Sequence, residues 1–353
     1  MDIMNLKFNK IILIMCVSIC VFASCQYSNN TSLLKYYDES GAIIKIEDSV
    51  YYYDNPLGLD VNLCRYNTKT NSSEIIDVIS KNKPNSNQVL GLTRLFRIDD
   101  RIYYGKQSDS GEEKLSIYMF TSENPYDIIH KGEIDILHGE GCSDRMPISF
   151  NIMEGNDGLY ILCTNGLYHV DSKSTEIISD DITSIWSDGT ETIIGMHING
   201  KSAICELNKD CSLNNIIEED EINKYNNDNL IIGDFVTFRN IYCSNEYIYF
   251  LTSSYASPIY RISIRDKSIE CVTKNDFVAG FKLINDNIFF INSKGNLEKV
   301  SLDGSDSKTV LSNVNDYTVY GNCIYYHEAR DHGYAKKLYV YDMNTETRTF
   351  LIE

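Results

Sequence analysis

One short phrase recurs along this chain and constrains its fold more than anything else: a turn-forming polar pair followed at once by β-branched and aromatic residues. It reads Asp99-Asp100-Arg101-Ile102-Tyr103-Tyr104 in one copy and Asn285-Asp286-Asn287-Ile288-Phe289-Phe290-Ile291 in another. Further copies lie at 47–53, 156–162, 244–251 and 320–326, with a weaker one at 187–194. Asn, Asp and Gly tolerate the positive φ that a tight antiparallel turn demands, and the apolar run that follows has strand chemistry. The chain holds 26 tyrosines against a single tryptophan and only five prolines, and the tyrosines concentrate in these runs.

Each phrase is flanked by further strands. An apolar strand precedes it, as in Ala42–Ile46 and Asp316–Tyr320, and two more follow, joined by a polar turn. Leu297–Leu302 leads through Asp303-Gly304-Ser305 to Lys308–Leu311, and Lys337–Tyr341 leads through Asp342-Met343-Asn344 to Arg348–Leu351. The same plan is visible at Leu63–Tyr66 with Ile75-Ile76, Leu167–Val170 with Ile177-Ile178, and Ile259–Ile262 with Cys271-Val272. Four antiparallel strands per unit cannot bury both faces alone, whereas units stacked around an axis cover one another. A period of roughly 45 residues is that of a blade-type repeat. The expectation is an all-β chain, a β-propeller of four-stranded antiparallel blades, seven by count with six or eight as the neighbouring alternatives. Both faces of a blade are packed, so unbroken apolar strands such as Ile288-Phe289-Phe290-Ile291 fit it.

The units at 285–311 and 320–351 resemble the YWTD-type repeats of low-density-lipoprotein-receptor propellers, and more closely a bacterial, chiefly clostridial, family of exported propellers. The shared rhythm is Asn-x-Ile-Tyr-Tyr followed by Leu-Tyr-x-x-Asp, carried here by Asn322–Tyr326 and Leu338–Asp342. Tyr-Trp-Thr-Asp itself is absent, and the only tryptophan, Trp186, stands elsewhere. The resemblance implies a fold and an extracytoplasmic setting, and no reaction.

The N-terminus carries its own signal. Lys7 and Lys10 precede the apolar run Ile11–Phe22, which is too short to span a bilayer comfortably, and the run ends at Ala23-Ser24-Cys25. This resembles the bacterial lipobox, with Phe22 where leucine is usual. The expected organisation is a signal peptide at 1–24, a lipidated tether at 25–40 beginning with an acylated Cys25, and the propeller at 41–353. The protein is then held on the extracytoplasmic face of the cell membrane. The net charge of −18 disfavours nucleic acid as a partner.

Eleven cysteines are present. Beyond Cys16, Cys20 and Cys25 they fall at 64, 142, 163, 205, 211, 243, 271 and 323, with no CxxC spacing, so no zinc site is expected. Free thiols among the strands are the expectation, with Cys205 and Cys211 as the closest candidates for a bridge.

Three segments break the repeat: Ser80–Asn87, Lys131–Pro147 and Glu218–Asp228, the last acidic enough to carry a helical turn. Loops of this kind collect on the open faces of propellers, where function concentrates. His327-Glu328 with His332 has the wrong spacing for a metalloprotease helix, whose histidines stand four apart. His138, Cys142 and Asp144 share the second segment without an assignable base or oxyanion donor. Asp303-Gly304-Ser305-Asp306 reads as a hairpin turn and lacks the length of a calcium loop. No catalytic, cofactor-binding or metal residue is assigned, and lipidation of Cys25 is the only specific chemistry. The functional expectation is a monomeric binding or protein-interaction module for an unknown surface protein or glycan. The alternatives are a glycan hydrolase or lyase using carboxylates near the axis, and a structural accessory lipoprotein of the envelope.

Overall fold

A computed structural model describes residues 35–36, 39–54, 61–80, 94–107, 114–135, 150–155, 157–163, 166–172, 174–187, 191–198, 200–208, 213–228, 238–244, 246–252, 257–273, 278–329 and 337–352. They form seven antiparallel sheets of four consecutive strands, two of which gain a fifth strand from the N-terminal segment. The sheets are the blades of a seven-bladed β-propeller: blade 1 (residues 43–80), blade 2 (95–135), blade 3 (150–179), blade 4 (182–218), blade 5 (239–271), blade 6 (281–311) and blade 7 (314–352).

The recurring phrase is the hairpin between the first and second strands of each blade. Glu47, Asp99, Asn285 and Asp286 carry φ of 46, 56, 48 and 59°, and Gly321 carries 58°. These values are the physical reason for the polar pairs. The aromatic runs are then split between two interfaces, because alternate side chains of a strand point to opposite faces. Tyr51 and Tyr53 pack toward blade 2 while Tyr52 packs toward blade 7. Tyr103 faces blade 3 and Tyr104 faces blade 1.

Seven apolar clusters result, one between each pair of neighbouring blades, including one that joins blade 7 to blade 1 through Tyr325, Leu338, Ile43, Tyr52 and Cys64. The ring is therefore closed. Every blade is made of four strands consecutive in sequence, so no strand is exchanged between the last blade and the first.

First strands touch between blades 7 and 1, 1 and 2, 2 and 3, and 4 and 5, which places the first strands around the axis. Two short strands from the N-terminal segment add to their inner edges. Strand β1 (Lys35–Tyr36) pairs with the first strand of blade 3, and β2 (Glu39–Gly41) with the first strand of blade 2. The end of the stretch expected to be a free tether is thus part of the ring.

The registers give its direction. Lys35 is opposite Glu154, where the first strand of blade 3 ends, and Gly41 is opposite Leu95, where the first strand of blade 2 begins. The chain therefore enters the axis from the side bearing the tight hairpin turns and emerges on the other side. On that other side second strands end and third strands begin, and the last strand of each blade ends where the first strand of the next begins. The same side carries helix α1 (Glu219–Asp228), in the segment read as acidic. The carboxylate of Glu221 accepts the Glu218 amide at 2.9 Å, an N-terminal cap, and the acidic first turn suits the helix dipole.

Candidate functional site

The polar groups that the fold concentrates at the loop-side end of the axis come from blades 1, 2, 6 and 7 and from β2. Arg94, just ahead of blade 2, donates from Nη2 to Ser40 Oγ at 2.8 Å. Ser40 is buried, at 4% exposure. Lys282, on the first strand of blade 6, donates from Nζ to the Tyr317 carbonyl at 3.0 Å and lies 5.1 Å from the centre of the Tyr317 ring. The Tyr317 hydroxyl donates in turn to the Phe289 carbonyl at 2.8 Å. Lys282 and the Tyr317 hydroxyl thus tie blade 6 to blade 7, while Arg94 ties blade 2 to β2.

Asp316 supplies the negative charge there. The main chain at Tyr317 and Ala42, together with Lys282 and Arg94, favours its ionised form. Burial nevertheless outweighs these and raises its pKa above the usual carboxylate value. Oδ2 is closed off from solvent and has no hydrogen-bond partner. Across the strand pair stands His327, fully buried, with neither ring nitrogen bonded and its pKa pushed down to about 4 by desolvation. Its ring meets Tyr52 of blade 1 edge-on at 6.2 Å between centroids.

The tight-turn end of the axis is different. Glu154 takes the Tyr103 hydroxyl at 3.2 Å and pairs with Arg101. Lys45, buried and with its pKa lowered by desolvation, bonds the Glu47 carbonyl and lies 5.5 Å from the centre of the Tyr320 ring. Glu154 and Asp316 are the only carboxylates on the first strands of the seven blades, and they sit at opposite ends of the axis.

A Ser-His contact occurs in blade 4, where Ser202 Oγ lies 3.0 Å from His197 Nδ1. Ser202 is 1% exposed and its amide is held by Glu219 at 3.0 Å, so the contact braces a hairpin against α1. Among the described residues no group of three or more His, Cys, Asp and Glu is placed to hold a metal ion, and no helix is long and apolar enough to cross a membrane.

Cys25, His138, Cys142, Asp144, Cys211 and His332 lie outside the described residues. Cys205 is buried, carries a free thiol and donates to Asn215 Oδ1 at 3.1 Å. Cys64, Cys163 and Cys323 also carry free thiols. His327 and Glu328 are strand residues of blade 7, and Glu328 pairs with Arg348 at 2.7 Å. Asp303 caps its hairpin, accepting from the hydroxyls of Ser301 and Ser305 at 2.6 and 2.7 Å, which holds its pKa well below the usual value. Sequence reasoning did not single out Arg94, Lys282 or Asp316. For Lys282 and Asp316 the one available signal was a charged residue inside a first strand; Arg94 precedes its strand and carried no such signal.

No protein-family model matches the chain, and no curated protein matches it. Solved structures do. A puromycin hydrolase is similar over 95% of this chain and 55% of its own, with a TM-score of 0.52 and 10% identity. A puromycin-hydrolyzing peptidase of Mycobacterium tuberculosis gives 0.53 with 7% identity, over 95% of this chain and 54% of its own. This chain thus spans about half the length of those two proteins. The β-propeller domain of the Trilobed protease from Pyrococcus furiosus, described as having an open velcro topology, gives 0.52 with 10% identity, over 89% of this chain and 99% of its own. At these identities the likeness is one of fold.

Proposed function

We propose that this protein is a lipid-anchored, extracytoplasmic binding module that holds its loop-bearing face outward to a surface protein or glycan. The supporting observation is the route of β1 and β2. Strand β1 starts on the tight-turn side, and Cys25 precedes Lys35 by only ten residues, so a lipid on Cys25 would draw that side toward the membrane. Helix α1 and the ends of the strands that lead from blade to blade lie on the opposite side, away from the lipid. A preformed rigid face fits a binding role without requiring a reaction.

Cys25→Ser tests the anchor. The variant is expected to lose labelling by a fatty-acid probe and to leave the membrane fraction, and continued labelling would refute the assignment. Binding is tested by surface crosslinking and a glycan array with the soluble domain. Substitutions at Lys224 on α1 and Lys294 on the loop side should weaken capture, while Lys69 on the tight-turn side should not. The reverse ranking would contradict the proposed face.

A further inference from the structure

The ring has no exchanged strand to close it, yet the first and last blades meet at a buried seam. In that situation something else must resist opening, since the entropy of an open ring favours separation of its ends. The N-terminal segment lies where such an element would act. Strand β2 pairs with the first strand of blade 2 and also touches the first strands of blades 1 and 7. Strand β1 pairs with blade 3 and touches blade 4. Five consecutive blades around the closure, counted from blade 7 to blade 4, are therefore in contact with the five residues of β1 and β2.

The contacts at the closure are specific. Ser40 is held by Arg94 of blade 2. A Cβ on Gly41 would stand 3.1 Å from Lys282 Nζ of blade 6 and 3.8 Å from the Tyr317 carbonyl of blade 7, so the backbone passes directly beneath that junction. The next residue, Ala42, has its main chain near the Asp316 carboxylate of blade 7.

We infer that residues 35–41 are an axial strap that closes the ring in place of strand exchange, and that the inner edges of blades 2 and 3 form a groove for an extended peptide, filled here by the chain's own segment. This inference does not depend on lipidation of Cys25. It predicts that the anchor-bearing segment is also the element that keeps the outward face in one piece.

Hydrogen exchange on the intact protein tests it first. The amides of residues 39–41 should exchange about as slowly as those of Leu95–Ile98, because both belong to one paired edge. Exchange at the rate of a free tail would overturn the strap. The second test compares a chain starting at Leu33 with one starting at Ala42, reading modification of Cys64, which is 3% exposed at the seam. Loss of the strap should speed modification about tenfold or more, and a synthetic peptide of residues 33–41 added in trans should slow it again. Equal protection of Cys64 in the two chains would overturn the inference. Should the shorter chain fail to fold, full-length Arg94→Ala replaces it: faster modification of Cys64 supports the strap, and an unchanged rate with unchanged exchange at 39–41 counts against it.

Discussion

His327 and Asp316 are cross-strand partners in blade 7, and three of their polar side-chain atoms are closed off from solvent with no hydrogen-bond partner. Such a pair at the seam of a ring makes its stability depend on pH. The folded state holds the His327 pKa at about 4, below its ordinary 6.5, so folding favours the neutral imidazole. Stability from this residue is complete above pH 6.5 and is lost as pH falls toward 4. The loss reaches about 2 to 3 kcal/mol near pH 4.5, from the size of the shift.

The pH prediction is read by urea denaturation at pH 7 and pH 4.5, comparing the protein with His327→Leu. Asp316 acts in the opposite sense: its raised pKa favours the protonated acid, so its contribution is present at low pH and fades as pH rises above 3.8. Comparing the two proteins isolates the histidine. His327→Leu should lose about 2 kcal/mol less on acidification than the parent. An equal loss in both would show that His327 does not carry the acid sensitivity.

Gly166 opens the third strand of blade 3 with a φ of 126°, and a Cβ there would stand 2.3 Å from the Ser179 carbonyl oxygen. Gly166→Ala should cost about 2 to 4 kcal/mol, combining backbone strain with a clash against rigid main chain. Gly295, in a hairpin with φ of 76° and nothing near its missing Cβ, serves as the comparison and should cost about 1 kcal/mol. Chemical denaturation of both variants gives the ranking.

Tyr104 joins two blades. Its hydroxyl donates to Asp77 on the outer strand of blade 1, and Lys106 pairs with the same carboxylate at 2.6 Å. Tyr104→Phe should cost about 1 to 2 kcal/mol, since a hydrogen bond to a charged acceptor is lost inside an interface. The salt bridge is partly exposed, with side-chain exposures of 22% and 15%, so Lys106→Met should cost less than about 1 kcal/mol. A thermal melt series with the double variant separates the two.

The blade repeat was legible in the sequence because its cause is local. A positive φ at Asp99 or Asn285 selects the polar pair, and burial of both strand faces selects runs such as Tyr51-Tyr52-Tyr53. Helix α1 was partly legible, through the acidic run that now forms its cap and first turn. The strap was not. Residues 35–41 are short and polar, and their pairing depends on strands more than 50 residues away, Ser40 opposite Phe96 and Tyr36 opposite Met153. The axial cluster was equally hidden: Lys282, Asp316 and Arg94 stand far apart in sequence and meet only when the ring closes. His327 was weighed in the sequence only with Glu328 and His332 against a metal motif, whereas its strand position puts it into the seam beside Tyr52, opposite Leu338.

The central claim, that the loop-bearing face points away from the membrane, is tested most directly by energy transfer from labelled protein to an acceptor dye at the lipid surface. The full lipidated chain would be inserted in vesicles with a donor at Lys69→Cys on the tight-turn side, or at Lys224→Cys or Lys294→Cys on the loop side, all exposed positions. Transfer from position 69 should exceed transfer from both 224 and 294. Equal transfer from all three, or greater transfer from the loop side, would contradict the orientation.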